Sequence, residues 1–381
     1  EVNFKTSSLA SLSSLITKGT TPTTLGYAHS DSGIPFLRVQ NIFSGQVNFK
    51  EDTLFIDSNT QTALKRSQIQ GGDVLVTIAG TIGRTGVVPH DAPEMNCNQA
   101  VAIVRPTQEI ERNYLRHWLE SQDARSQMLG STVTGTISNL SLSQLGELRV
   151  PLPPLEEQRR IAAILDQAET LRTQRRTALA LLDSLTQSLF LDMFGDPVAN
   201  PKGLPICELQ RLCTRITDGT HQSPAWQKSG IPFLFISNIV EGQINFDTHK
   251  FISADTHAEL TKRCPIEIGD VLYTTVGSYG NAAVVSTKEL FAFQRHIAHI
   301  KPDRSKLDSR FLAAMIQSPG VRQQVDKVAK GIAQKTVNLA DLKGLSVFWP
   351  PLPLQQIFAT RIASIEALKA THRRALAALD A

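Results

Sequence analysis

The chain has 381 residues, 41% of them apolar and 19% charged, the balance of a soluble globular protein with room for two or three domains. Its 39 Lys+Arg against 35 Asp+Glu leave a net +4, which permits nucleic-acid binding without demonstrating it. Four cysteines (Cys97, Cys207, Cys213 and Cys264) make no CxxC pair, no signal peptide opens the chain, and no run approaches 18 apolar residues; the expected compartment is a reducing cytoplasm, with no membrane contact.

Taken in chain order, short apolar runs at Pro35–Val39, Val74–Ile78, Ala100–Val104 and Leu148–Leu152 are bounded by Gly, Pro, Asn and Asp, as strands are. Around Asn113–Gln127 the apolar spacing turns helical. The stop Val150-Pro151-Leu152-Pro153-Pro154 cannot propagate a helix, but it can start one, and Glu156 and Glu157 suit the positive end of the dipole that follows. Ile161, Ile164, Ala168, Leu171, Arg175, Ala178, Leu182, Leu185 and Leu189 then keep a 3-4 spacing, a heptad seam broken once at Arg175. Phe194-Gly195-Asp196-Pro197 ends the helix, which at about 38 residues would span roughly 57 Å.

Beyond it the chain repeats itself. Ser32-Gly33-Ile34-Pro35-Phe36-Leu37 returns 197 residues later as Ser229-Gly230-Ile231-Pro232-Phe233-Leu234. The same offset carries Asn41-Ile42 to Asn238-Ile239, Gly45–Phe49 to Gly242–Phe246, and Gly72-Asp73-Val74-Leu75 to Gly269-Asp270-Val271-Leu272. Gly80, Gly83 and Val87-Val88 recur as Gly277, Gly280 and Val284-Val285. A period this long excludes a solenoid, so each copy is a folded α+β domain, with its own helical stretch at Ser309–Gln324 in the second. Val347-Phe348-Trp349-Pro350-Pro351 then precedes a second seam of Phe358, Arg361, Ile365, Leu368, His372, Ala375 and Leu379. Two long helices with matching seams most simply pack on each other. The chain begins at Glu1 rather than Met, and its second helix stops about a dozen residues short of the first, so native residues are expected beyond both ends.

Pro153-Pro154-Leu155-Glu156-Glu157-Gln158-Arg159-Arg160-Ile161, the long helix after it, and Leu191-Asp192-Met193-Phe194-Gly195-Asp196-Pro197 leading into a second copy resemble the specificity subunits of type I restriction-modification enzymes. Leu142, Leu145, Leu148 and Val150, matched by Leu339, Leu342, Leu345 and Val347, extend the resemblance across essentially the whole chain. It implies an α+β fold: two repeated α+β target-recognition domains separated by long antiparallel coiled-coil-like helices. The expected divisions are a first domain over 1–152, a central spacer helix over 153–196, a second domain over 197–349 and a C-terminal spacer helix over 350–381. One departure leaves the second helix start open: Leu354-Gln355 stands where Glu157-Gln158 does, and Pro353 lies inside the expected first turn.

The resemblance further implies double-stranded DNA as ligand, each domain reading one half of a bipartite site and the helices setting the gap. Two methyltransferase subunits would dock on the helices and restriction subunits would join through them. No cofactor is expected in this chain; adenosylmethionine, ATP and Mg²⁺ would sit on the partners. Domains reading one face of DNA lie about one helical turn apart, roughly 35 Å, or a multiple of it. Two readers on one ruler gain from each other only if both can engage together.

The repeat separates scaffold from reader. Identical positions (Gly33, Pro35, Asn41, Asp73, Gly80, Gly83 and their counterparts) suit folding or phosphate contact, whereas base readers must differ between copies. Arg38 aligns with Phe235, Gln40 with Ser237, and Thr81-Ile82-Gly83-Arg84 with Ser278-Tyr279-Gly280-Asn281. Asn96, Asn98 and Gln99 correspond to the stretch offering Gln294, Arg295 and His296. Arg suits G O6/N7, and Asn or Gln suits A N6/N7. Lys18 and Thr20, with His221 and Gln222, are further DNA-binding candidates, as are Thr134, Thr136, Lys330, Gln334 and Lys335 in loops suited to phosphates.

Catalytic motifs are missing. There is no GxxxxGK[ST], no Asn-Pro-Pro-Tyr-like motif, no glycine-rich strand-to-helix loop and no Gly-x-Ser-x-Gly. His296-x-x-His299 falls in Phe291–Ile300, which reads as one strand; residues i and i+3 then point opposite ways, against a metal site. The expectation is a protein that binds and does not catalyse. The other reading is a bivalent scaffold of duplicated modules that binds protein or carbohydrate and no nucleic acid.

Overall fold

The computed structural model describes residues 4–130, 139–331 and 335–380, which cluster into two compact units, Glu1–Leu171 and Arg172–Ala381. In the first unit a four-stranded antiparallel sheet runs in the order Ser13–Lys18, Val101–Pro106, Val74–Thr77, Thr85–Val87. The run Val74-Leu75-Val76-Thr77 is buried throughout because the sheet is covered on both faces. Val74 and Val76 pack with Tyr114, Leu115, Trp118 and Leu119 of the helix Arg112–Glu120. Leu75, with Val101 and Ile103, faces a second core of Leu37, Ile42 and Val88. A three-stranded sheet, Leu54–Ile56, Ile34–Leu37, Asn96–Cys97, is parallel in its last pair. The unit is closed by Thr6–Ser8 pairing antiparallel with Arg149–Pro151.

The second unit repeats this plan. Its central sheet runs Cys213–Asp218, Ile297–Pro302, Val271–Thr274, Ala282–Val284, and its three-stranded sheet runs Phe251–Ile252, Ile231–Leu234, Ala292–Phe293. Ile206–Glu208 with Ser346–Phe348 closes it. The offset between copies is not uniform. Val74 pairs with Val104 but Val271 with Ile300, so the second copy is one residue shorter in the loop before its last sheet strand. Arg105 therefore corresponds to Lys301, and each balances the buried aspartate of its own turn: Arg105 Nε lies 2.8 Å from Asp73, and Lys301 Nζ 2.7 Å from Asp270. The loop absorbs the deletion; strands cannot, since a one-residue slip would reverse their faces.

Each helical stretch divides in two. Ser121 and Ser318 adopt extended backbone, giving Arg112–Glu120 with Gln122–Gly130, and Ser309–Gln317 with Pro319–Val328. Pro319 enforces the second break, because the residue before proline is sterically driven out of the helical region. Phe291–Ile300, expected as one strand, is two strands around a turn at Gln294–His296.

The central helix is continuous over Leu155–Phe194 and the C-terminal helix over Leu352–Asp380, with Pro353 tolerated in the first turn, where an N–H has no intrahelical partner. Gln158 and Gln355, both buried, fasten these starts identically. The Gln158 amide accepts from Glu111 N and donates to the carbonyls of Glu109 and Pro153; Gln355 accepts from Asp308 N and donates to Lys306 and Pro350. Within the second unit the two helices run antiparallel. Arg172 reaches Asp380, Arg175 reaches His372, Lys369 reaches Asp183, and Phe190 packs on Phe358. The seam differs in detail from the sequence reading. Phe358, Ile362, Ile365 and Lys369 are buried, while Arg361 and Leu368 are exposed. On the central helix Leu182 and Leu189 pack inward, and Leu185 is exposed.

Candidate nucleic-acid interface

In each unit the loops with unlike residues gather at one end of the central sheet. In the first, Lys18 ends the strand that pairs with Ala102, Ile78 N donates to Ala100 O, and Thr77 opposes Val101. That register brings Lys18–Thr21, Gly80–Arg84 and Asn98–Ala100 to one tip. Gly19 seals it: a Cβ there would lie 1.9 Å from Cys97 O, a distance only glycine permits. The Thr21 hydroxyl donates to Gln99 Oε1, and Asn98 N donates to Leu37 O beside Arg38.

Lys18, Thr81, Arg84 and Gln99 are exposed, and Thr20 and Asn98 are half-buried. Arg38 and Gln40 are both engaged by Asp52, at 3.4 Å and 3.3 Å. Asn96 is not available. It is wholly buried; its amide donates to Gln61 Oε1 and Leu64 O, so strand pairing has drawn it into the core.

In the second unit Asp218 pairs with Ala298, Thr274 with Ile297, and Thr275 N donates to His296 O. Asp218–Gln222, Ser278–Asn281 and Gln294–His296 therefore share a tip, sealed by Gly219, whose Cβ would meet Phe293 O at 2.1 Å. Gly277 N also donates to Lys335 O, and Lys330 pairs with Thr336, which adds both exposed lysines to the same end. Ser237, Ser278, His221, Gln222 and Arg295 are exposed. Asn281 folds its amide back onto Ser278 O.

Tyr279 is a correction: it is buried, its hydroxyl donates to Asp326, and Arg322 stacks on its ring, so it anchors the turn rather than reading from it. Burial, and after it the neighbouring Arg295 and His221, lower the His296 pKa below the ordinary histidine value. Thr134, Thr136 and Gln334 lie outside the described residues.

The structure also assembles groups that the sequence kept apart. His299 is buried with Nε2 2.6 Å from Asp270 and Nδ1 3.3 Å from Cys264 Sγ, while His296 sits in the turn, so the two histidines share no site. His117, Asp166 and Glu169 lie close enough to hold a cation, but Arg116 is already there, 2.9 Å from each carboxylate. Sequence reasoning missed Trp226, which stands at the second tip against Phe233 and Phe235. Its signal was present, since the 197-residue offset pairs it with His29, which packs on Phe36 with ring centroids 5.3 Å apart.

A repeated α+β unit whose loops carry unlike side chains at one sheet end, with a helix fastened after each copy, defines a duplicated two-unit architecture. The chain belongs to the type I restriction modification DNA specificity domain family, whose model matches residues 1–180 and 207–380. It is 34% identical over 167 residues to the specificity subunit of the type I restriction enzyme EcoBI of Escherichia coli, covering 42% of this chain and 35% of that one. It is 23% identical over 361 residues to the StySPI specificity subunit of Salmonella potsdam, covering 88% and 76%. The crystal structure of a type I restriction-modification S subunit from M. genitalium shares the fold, with a TM-score of 0.64 at 13% identity over 100% of this chain and 94% of that one. Both relatives are specificity subunits of type I restriction enzymes. Among the described residues no helix is long and apolar enough to cross a membrane.

Proposed function

We propose that this chain is the non-catalytic subunit that gives a type I restriction-modification enzyme its DNA sequence, each unit reading one half of a bipartite site in duplex DNA. The observation that carries this reading is that loops from distant parts of each copy meet at one sheet end, where the two copies carry different hydrogen-bonding side chains. Arg84 and Gln99 in the first unit, and Gln222, Gln294 and Arg295 in the second, carry the donors and acceptors that suit base edges; Lys18, Lys330 and Lys335 suit phosphates. The central helix, roughly 60 Å long at 1.5 Å per residue, has a length that suits a spacer between half-sites. Two methyltransferase subunits would dock through the helices and restriction subunits would join the assembly. Adenosylmethionine, ATP and Mg²⁺ would belong to those partners, in the cytoplasm.

The test is coexpression with a cognate methyltransferase subunit, followed by methylation-sensitive sequencing of host DNA. A bipartite motif is expected, and exchanging residues 1–150 for another such domain should change one half only. A change in both halves, or in neither, overturns the modular reading. Binding by the assembled complex should weaken steeply with salt.

A further inference from the structure

The two tips differ in the side chains that build them. In the second unit Trp226, Phe233 and Phe235 form an aromatic corner, with ring centroids 5.1 Å apart between Trp226 and Phe233 and 5.4 Å between Phe233 and Phe235. This corner walls a cleft of about 230 Å³ whose other wall carries Gln294, Arg295 and His296. Phe233 is fully buried behind it, whereas Trp226 is 39% exposed and Phe235 half-buried. Lys250 Nζ stands 5.3 Å from the Trp226 ring centre, holding a cation at the rim. The first unit puts His29 at the Trp226 position and Arg38 at the Phe235 position, so the same corner there is polar.

Resting on the DNA-reading function above, the geometry points to a binding slot in the second unit for a single nucleobase that has left the helical stack. Three physical arguments lead there. A concave slot cannot reach base edges recessed in a groove; reading stacked bases needs a projecting helix, strand or side chain. Aromatic walls accept any planar heteroaromatic ring by stacking, and such contacts are worth about 1–3 kcal/mol per base. The volume falls below the roughly 300–1,000 Å³ of sites for drug-sized ligands, which leaves room for one base and little more.

The polar wall supplies what an extruded base requires. The Gln294 amide offers a donor and an acceptor, the exposed Arg295 guanidinium offers donors, and the two together match a Watson–Crick edge freed from its partner. The His296 Nδ1 lies 2.8 Å from the Gln294 Nε2, which fixes the amide in place before any ligand arrives. Arg295 lines the slot and Lys250 lies over the Trp226 ring, two cations suited to the phosphates of the displaced nucleotide.

The experiment uses the complex of this chain with its methyltransferase subunits and duplexes bearing the methylated motif. Each base pair of the half-site read by the second unit is replaced in turn by a mispair, which lowers the cost of extrusion. One position is expected to bind about tenfold tighter when mispaired and to become reactive to permanganate when it carries thymine. Trp226→Ala should abolish both the gain and the reactivity, and Trp226→Phe should keep most of each. The first half-site should be read as before by all variants. A complex that recognises its bipartite site but shows no mispair gain dependent on Trp226 overturns the slot and leaves the DNA-reading function standing. Replacement of thymine by uracil that weakens binding with no mispair gain also overturns it, in favour of methyl contact to a stacked base. A complex with no sequence-selective DNA binding overturns both.

Discussion

The two units are built from the same parts down to single hydrogen bonds, yet they end in different tips. Asn41 and Asn238 accept from the backbone N–H three residues before them, and Gln158 and Gln355 each bind one N–H and two carbonyls. At the tips, Arg38 held by Asp52 stands opposite Phe235 packed on Trp226, and Thr21 with Gln99 stands opposite His221 with Arg295. The identical Asn41/Asn238 and Gln158/Gln355 satisfy buried backbone, whereas Lys18, Arg84, Gln99, His221, Gln222 and Arg295, which differ between the copies, are exposed; Asn96 and Tyr279 differ and are buried. Duplication therefore preserved the groups whose loss strands a polar atom in the core, and left free those that meet solvent or ligand.

The largest effect should come from the seals. Gly219→Ala would drive a methyl into the Phe293 carbonyl and should cost about 3 kcal/mol or more, since backbone on both sides cannot yield. Differential scanning calorimetry should show that loss in the second unit alone, and Gly19→Ala should mirror it in the first. If either variant melts like the parent, the tips are less closely packed than the structure shows.

Gln355→Leu should follow, at about 2–4 kcal/mol, because it strands the Asp308 N–H and two carbonyls beside an otherwise intact helix start. Gln158→Leu should cost the same to within about 1 kcal/mol, the equality being the point of the comparison. Denaturant melts of both variants would measure it, and a twofold disparity would break the equivalence of the two copies.

Acid should act on the second unit through Asp270. Burial alone would raise its pKa, but hydrogen bonds from His299, Lys301 and the Glu267 N–H outweigh burial and hold it below the ordinary aspartate value of 3.8. A carboxyl with a depressed folded pKa stabilises above the unfolded value and loses that contribution as pH falls through the folded one. Thermal melts should therefore show a loss of stability as pH drops below about 4, and Asp270→Asn should remove that part of the slope while lowering stability at neutral pH. An unchanged slope would show that Asp270 titrates alike in the folded and unfolded chain.

The smallest expected change in stability carries the largest change in recognition. Arg38→Phe brings the second unit's residue into the first and should cost less than about 1 kcal/mol, because Asp52 is exposed and the pair is solvent-screened. Methylation-sensitive sequencing should nonetheless find the first half of the recognised motif altered and the second half intact.

Much of this was legible in the residues. The 197-residue offset establishes two copies, and the proline stops and seams establish two helices, because repeats and heptads are local patterns that survive any tertiary arrangement. The antiparallel pairing follows as the simplest way to cover two apolar seams. Other features needed distances. Asn96 is a reader candidate by sequence because the copies differ there and an asparagine amide suits adenine; only the parallel pairing of Asn96–Cys97 with Ile34–Leu37 turns its amide onto Gln61. Tyr279 differs between the copies, as a reader should, yet Arg322 and Asp326 from a helix more than 40 residues away claim it.

The seam also moved. Lys369 is buried where Leu368 was expected because Asp183 and Glu366 pair with its ammonium, a compensation that hydrophobic spacing alone cannot register. Sequence by itself determined the duplication, the helices and the loops in which the copies disagree, since all three are written as order along the chain. Tertiary structure alone decided which side chains of those loops reach solvent, and that one tip closes into an aromatic slot while the other stays polar. That depends on strand register, which aligns residues from opposite ends of a domain and leaves no periodic trace.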